Sequence, residues 1–191
     1  MTPELSDRRL VRRCVDGDED AFAELARRYE GRVYAIVYAR TLDAVASQDV
    51  TQDALLTAYV KLRSLREPDR FGAWISRIAF SRSQDHLRRA RWETPVDHRE
   101  AMKGEPAPSI PQEESARRED IAGLTRDALR TVPAALRVPV VMRHMDGASI
   151  AEIAESLAIS PKRLSQSASS LLSRCHMRVQ MRTQANFTRP A

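Results

Sequence analysis

Apolar residues recur at helical spacing along two long parts of this chain. The first part runs over residues 5–92, and the second begins at Ser115 and continues to about Arg178. Residues three and four positions apart share one face of a helix, so this spacing predicts amphipathic helices that pack together. No stretch alternates Val, Ile, Thr and Tyr with the period of two that strands require. The pattern therefore predicts an all-α fold made of two small helical domains.

A proline-rich segment lies between these two parts. Residues 93–114 have no apolar stripe and contain four prolines, each of which removes a backbone hydrogen-bond donor. Such a composition is typical of a flexible tether. We therefore predict a first domain at 1–92, a flexible linker at 93–114, a second domain at 115–178 and a disordered tail at 179–191.

Short signals divide the first domain into helices. Gly17 can end one helix in a left-handed conformation, and Asp18 can cap the next. Three helices are predicted after this break, joined by short turns into a compact bundle. Their approximate bounds are Asp18 to Arg40, Ala46 to Arg63, and Asp69 to Arg91.

The helix that begins near Ala46 has two different faces. At about 100° per residue, one face collects Val50, Ala54, Ala58 and Leu62 and should point into the core. The opposite face collects Asp49, Gln52, Asp53, Leu56 and Val60. Its small apolar centre with a polar rim is typical of a protein-binding surface. The alternative is that another helix simply covers Leu56 and Val60.

The helix that begins near Asp69 also has an apolar stripe and a basic face. Phe71, Trp74, Ile75 and Ile78 form the stripe, which we expect to face the core. The other side collects polar and basic residues that could lie along a phosphate backbone, namely Arg70, Arg77, Ser81, Gln84, Arg88 and Arg91. The alternative is a solvated helix face, because most charged runs are no more than that.

The second domain contains the pattern of a helix-turn-helix. Ser149 and Glu152 form a capping box after the turn at Asp146 and Gly147. A short helix to Leu157 follows, and Ser160-Pro161 begins another with a cap and a proline at its first position. The apolar or small residues that the motif needs are Ile153, Ala154, Leu157, Ile159 and Leu164.

The second helix of this motif normally lies in the major groove of DNA. Its exposed positions would be Lys162, Arg163, Ser165, Gln166, Ser167, Ser169 and Ser170. Gln166 can pair with adenine, and the two basic residues can reach guanine or phosphate. The serines supply few charges for the DNA backbone, so any binding should be weak and depend little on salt.

The overall charge agrees with a polyanionic partner but does not require one. The net charge is +5, and the basic residues are arginine except at Lys61, Lys103 and Lys162. Guanidinium groups suit phosphate and base-edge contacts, yet a GC-rich genome would also encode many arginines.

Nothing in the sequence indicates an active site, a cofactor site or a metal site. The six glycines form no phosphate-binding loop, and neither the four histidines nor Cys14 and Cys175 have metal-ligand spacing. The longest apolar run, Val33–Ala39, is too short to span a bilayer, and the N-terminus is unlike a secretory signal. We therefore expect a cytoplasmic binding protein that is not an enzyme and does not insert into a membrane.

These motifs together resemble the extracytoplasmic-function group of bacterial sigma factors. The resemblance rests on their order across the linker. It begins with Asp20–Leu25 followed by Tyr29 and Arg32–Tyr34, continues with Gln48–Asp53 and Phe71–Ala79, and ends with Val132-Pro133 and the helix-turn-helix. It implies that Asp49, Gln52, Asp53 and Leu56 contact the clamp of core RNA polymerase.

The resemblance also implies two DNA-binding surfaces. The −10 element would contact Arg70, Trp74, Arg77, Ser81, Gln84, Arg88 and Arg91, and the −35 element would contact Lys162, Arg163, Ser165, Gln166, Ser167 and Ser170. One residue and one stretch depart from the family pattern. Ser81 stands where the family usually has asparagine, and the serine-rich stretch replaces a more basic recognition helix.

The leading hypothesis is a sigma factor that joins core RNA polymerase and directs it to a small set of promoters. It would be a monomer when free, and the family implies an anti-sigma partner. One alternative is a sigma-like protein that binds polymerase or an anti-sigma factor without promoters of its own. Another is a free-standing helix-turn-helix regulator that binds duplex DNA without polymerase.

Overall fold

The computed structural model describes residues 5–93, 123 and 125–166, and it is helical with short connections throughout this range. The first part contains α1 (Asp7–Val15), α2 (Glu19–Thr41), α3 (Ala44–Lys61) and α4 (Phe71–Glu93), with 3₁₀ turns at Leu62–Ser64 and Pro68–Arg70. The second part contains α5 (125–131), α6 (Ala134–Asp146), α7 (Ile150–Ser156) and α8 (161–166). These ranges contain no strand, which confirms the all-α prediction.

A local cap sets the start of α2 where the sequence predicts it. Gly17 adopts a left-handed φ of 101°, and the Asp18 carboxylate accepts a hydrogen bond of 3.1 Å from the Ala21 amide. The start of α3 was predicted two residues late, because Asp43 supplies a cap that the prediction overlooked; it accepts from the Ala46 amide at 3.0 Å.

α2 lies at the centre of the first part and packs against α1, α3 and α4. Its side chains Leu25, Val33 and Ile36 are completely buried. The predicted inner faces of its neighbours are confirmed: Val50, Ala54, Ala58 and Leu62 on α3 and its end, and Phe71 and Ile75 on α4, are all buried.

Arg28 ties α1 to α2 through a set of hydrogen bonds. Its guanidinium donates to the Leu5 carbonyl at 2.7 Å, to Asp7 at 3.1 Å and to Glu24 at 2.7 Å. Arg27 also donates to Glu24, and together the two arginines lower the pKa of this carboxyl to about 2. The side chain of Arg28 is only 16% exposed, so this junction is largely shielded from water.

The second part packs against the first in this structure. α6 crosses α2, and its buried side chains Leu136, Val138 and Met142 join the same apolar cluster as the core of the first part. α7 contacts α4. The sequence offered no prediction of this packing.

The end of α4 differs slightly from the prediction. The helix continues through Glu93, which is the first residue assigned to the linker. The rest of the predicted linker, the predicted tail at 179–191, Ser167 and Ser170 lie outside the described residues.

The central position of α2 generates a stability prediction. Ile36→Ala should lower the free energy of unfolding by about 2–5 kcal/mol, because it leaves a cavity among completely buried side chains. Leu56→Ala is the matched control: this side chain is 64% exposed, so its loss should cost less than about 0.5 kcal/mol. Urea unfolding followed by circular dichroism measures both, and equal losses would contradict the packing described.

Candidate functional site

The outer face of α3 presents an apolar centre beside acidic groups. Asp49, Gln52 and Asp53 are exposed, and Leu56 and Val60 are 64% and 79% exposed. Among the described residues no helix covers this face, which leaves two aliphatic side chains in water one turn apart. An apolar centre with a polar rim is typical of a protein-binding surface.

The apolar part of this face continues to the turn after α1, which the sequence analysis missed. Val15 and Tyr59 are 39% and 44% exposed. Together with Cys14 and Val60 they line a cleft between this turn and the end of α3. The Phe22 ring holds Tyr59 in place through an edge-on contact, with 4.9 Å between ring centroids.

The basic face of α4 is exposed as the helical spacing predicts. Arg70, at its start, is exposed, and so are Arg77, Ser81, Gln84, Arg88 and Arg91 along the helix. Trp74 is half-buried beside Phe71, with ring centroids 5.8 Å apart. Because Trp74 precedes Arg77 by one turn, its ring lies at the border between the apolar stripe and the basic face.

The first two arginines of this face contact the second part of the chain. Arg70 forms an ion pair with Glu155 on α7 and lies 3.8 Å from Glu67. Arg77 donates to the backbone carbonyl of Glu155 at 2.7 Å. Farther along, Arg88 pairs with Asp85 of its own helix at 3.2 Å.

The helix-turn-helix begins with the predicted capping box. The Ser149 hydroxyl accepts from the Glu152 amide at 3.2 Å, and the Glu152 carboxylate accepts from the Ser149 amide at 2.7 Å. These bonds to Ser149 lower the pKa of Glu152. Ile153, Ala154, Leu157 and Leu164 are buried where the two helices meet, which confirms the geometry of the motif.

Ile159, the remaining apolar residue of the motif pattern, is not buried with the other four: its side chain is 38% exposed. Ala158 adopts a left-handed φ of 53°. The Ile159 amide then donates to the Ala154 carbonyl at 2.9 Å and the Ala158 amide to the Glu155 carbonyl at 3.2 Å. This pair of bonds is a Schellman motif, and it turns the chain so that Ile159 points outward.

The second helix of the motif, α8, exposes Lys162, Arg163, Ser165 and Gln166. The Leu164 amide donates to the Ser160 carbonyl at 3.1 Å, so the helix begins at the predicted Ser160-Pro161 signal. The described part of α8 therefore exposes two cations and two uncharged polar side chains.

The described residues contain no group of three or more His, Cys, Asp or Glu side chains that could hold a metal ion. Within the same residues, each helix is too short or too polar to cross a bilayer.

Residues 25–93 match the family described as Sigma-70 region 2. This match contains the exposed face of α3 and the basic face of α4.

Two curated relatives are similar over most of their length. The chain is 30% identical to the RNA polymerase sigma-H factor of Pseudomonas aeruginosa over 162 residues, which are 81% of this chain and 83% of the relative. It is also 30% identical to the ECF RNA polymerase sigma-E factor of Escherichia coli K12 over 161 residues, which cover 81% and 84% of the two chains.

A solved structure has the same fold. CnrH, solved in complex with the cytosolic domain of CnrY, superposes with a TM-score of 0.60. The alignment covers 88% of this chain and 97% of CnrH, at 24% sequence identity.

Proposed function

This chain belongs to the extracytoplasmic-function sigma factors, which are DNA-binding transcription initiation factors and not enzymes, and we propose which of its surfaces bind polymerase and promoter DNA. The outer face of α3 binds core RNA polymerase, the basic face of α4 binds the −10 element, and α8 contacts the −35 element. The single observation that carries the proposal is that the same helical bundle exposes an acidic and apolar face on α3 and a basic face on α4.

The polymerase contact is proposed at Asp49, Gln52, Asp53 and Leu56. Leu56 would supply buried apolar area when a partner covers it, because most of its surface is in water in the free chain. The two carboxylates favour a basic partner surface and would guide its approach. Val60 and Tyr59 extend the apolar part of the same face.

The −10 contact is proposed along α4. Arg88 and Arg91 occupy neighbouring turns on the exposed side and can bind successive phosphates, which fixes the helix on DNA without reading its sequence. Trp74 offers part of an indole ring at the edge of this face, where an unstacked base could pack. Ser81 can make fewer hydrogen bonds to such a base than asparagine, so the base preference should differ from the usual one.

The −35 contact is proposed to be weaker than in relatives with a more basic helix. Gln166 can accept from and donate to adenine, and Lys162 and Arg163 can reach guanine or phosphate. With two cations on the exposed side of α8, few counterions are released on binding. Most of the promoter affinity would then come from polymerase and the −10 contact.

We further propose that the free chain is a cytoplasmic monomer held by an anti-sigma protein. This proposal is supported by the family and by the similarity to CnrH, which was solved bound to the cytosolic domain of CnrY.

The polymerase contact can be tested with Gln52→Ala combined with Asp53→Ala. We expect this variant to bind core RNA polymerase at least about fivefold more weakly, because it removes two polar groups beside the apolar centre. The measurement is a fluorescence titration in competition with the principal sigma factor. Asp127→Ala, which removes an exposed acid on α5, is the control and should bind normally. Unchanged affinity of the double variant would reject this surface.

The −10 contact can be tested with Arg88→Ala. We expect less open complex at every promoter. We also expect the slope of the logarithm of the binding constant against the logarithm of the salt concentration to be smaller by about one, because one phosphate contact is lost. Permanganate footprinting and binding at several salt concentrations measure the two effects. Arg12→Ala on α1, also an exposed arginine, should change neither. Normal open complexes with the Arg88 variant would contradict the proposal.

The weak −35 contact can be tested on a promoter mapped by sequencing transcript starts. A base-pair change in the −35 element should cost less than about 1 kcal/mol of binding free energy, against about 1–3 kcal/mol for one in the −10 element. Gln166→Arg should increase the slope of the logarithm of the DNA-binding constant against the logarithm of the salt concentration by about one, because it adds a phosphate contact. Equal costs at the two elements would reject the weak contact.

A further inference from the structure

α4 extends beyond the core of the first part and ends in a short exposed segment. Ser83 is the last of its described side chains that is buried. The five side chains that follow at positions 88–92 are all exposed, and they belong to Arg88, Arg89, Ala90, Arg91 and Trp92. Three cations and one indole ring therefore lie together within little more than one helical turn.

Trp92 is the most exposed of the large apolar residues in the described part of the chain, at 83%. Its counterpart at the other end of the helix, Trp74, is instead half-buried beside Phe71. An aromatic side chain can bury roughly 150–250 Å² when a partner covers it. Covering Trp92 would remove most of this apolar area from water, which favours a partner with a flat apolar face.

The two tryptophans lie on the same side of α4. They are 18 positions apart, which makes five turns at about 3.6 residues per turn. At a rise of about 1.5 Å per residue, they are about 27 Å apart along the helix axis. The exposed polar and basic residues between them follow one edge of this line, and they are Arg77, Ser81, Gln84 and Arg88. The basic face of α4 therefore has an aromatic residue at each end.

Two arginines are the neighbours of Trp92 on the helix surface. Arg88 and Arg89 precede it by four and three positions, a spacing that places Cβ atoms about 5–6 Å apart. Arg88 also pairs with Asp85 at 3.2 Å, but its side chain is 71% exposed, so a phosphate can compete for it. An aromatic ring beside cations is the combination with which proteins bind single-stranded nucleic acid.

We propose that Trp92 packs against an unpaired base of single-stranded DNA while Arg88 and Arg89 bind the phosphates beside that base. The proposal rests on the function proposed above for α4, and it adds a second aromatic contact at the opposite end of the basic face from Trp74. Every base has an aromatic face, so this contact adds affinity without selecting a sequence. The faces of bases inside a duplex are covered by their neighbours, so the contact favours single strands.

The test uses the full-length chain, because the end of α4 is exposed in it. Trp92→Leu removes the ring but keeps an apolar side chain and the net charge, whereas Trp92→Phe keeps an aromatic ring. Val60→Ala is the control, since it removes exposed apolar area on another helix. Fluorescence anisotropy measures the affinity for a labelled strand of mixed sequence and about 20 nucleotides, which at about 3.4 Å per nucleotide exceeds the distance between the tryptophans. An abasic strand of the same length and the matching duplex are measured alongside.

We expect Trp92→Leu to bind the normal single strand at least about fivefold more weakly than the wild type, the lower limit for loss of one base–aromatic stack. Trp92→Phe should recover most of this loss, and Val60→Ala should bind normally. The abasic strand has the phosphates without the bases, so wild type and Trp92→Leu should bind it equally. Equal affinities of these two proteins for the normal strand would overturn the proposal. An equal loss on the abasic strand or on the duplex would overturn it as well.

The emission of Trp92 reports the contact directly. In a Trp74→Phe background Trp92 is the only tryptophan of the chain, because the sequence contains two. Its emission should be quenched when the normal single strand saturates the protein, and it should not change with the abasic strand. Emission that is the same with and without the saturating normal strand would contradict packing of a base on this ring.

Arg88→Ala in the same assay separates this proposal from the function assigned to α4. If Arg88→Ala weakens binding and Trp92→Leu does not, the stacking contact fails and the −10 surface stands. If neither variant changes the affinity, the −10 surface itself fails. The slope of the logarithm of the binding constant against the logarithm of the salt concentration should fall by about 0.7 for Arg88→Ala and stay unchanged for Trp92→Leu. A reduced slope for Trp92→Leu would mean that the ring acts through phosphate contacts, and it would overturn the stacking contact.

Discussion

Burial of α2 is the constraint on which the rest of the structure depends. Five of its side chains are completely buried, and α1, α3, α4 and α6 all pack against it. Because α3 and α4 turn their apolar faces towards this core, the polar residues of their other faces are largely exposed. The surfaces proposed for polymerase and for the −10 element are the outer sides of helices whose inner sides are fixed by this one core. Their relative position is therefore as rigid as the core itself.

Local signals account for the parts of the fold that the sequence predicted well. Gly17, Asp18 and the capping box at Ser149 act through backbone hydrogen bonds within a few residues, and such bonds can be anticipated without knowing the packing. The exposure of Ile159 was not predictable, because the Schellman turn before it uses alanine. Glycine is the residue that usually indicates such a turn, and an alanine in the sequence does not indicate a left-handed conformation.

The faces of α3 and α4 were predictable because one period fixes both the buried and the exposed positions of a helix. The contact between Glu155 and the α4 arginines was not, because it joins residues on opposite sides of the proline-rich segment. Neither residue type nor spacing indicates which exposed acid meets which exposed arginine. The extension of the α3 face to Val15 was missed for the same reason, since Val15 belongs to another helix.

The carbonyl of Glu155 has a mechanical consequence for the helix-turn-helix. A single oxygen accepts both the amide that closes the turn and the guanidinium of another helix. The turn between α7 and α8 and the contact with α4 therefore share one acceptor oxygen, so a displacement of this turn would also displace the group that Arg77 binds.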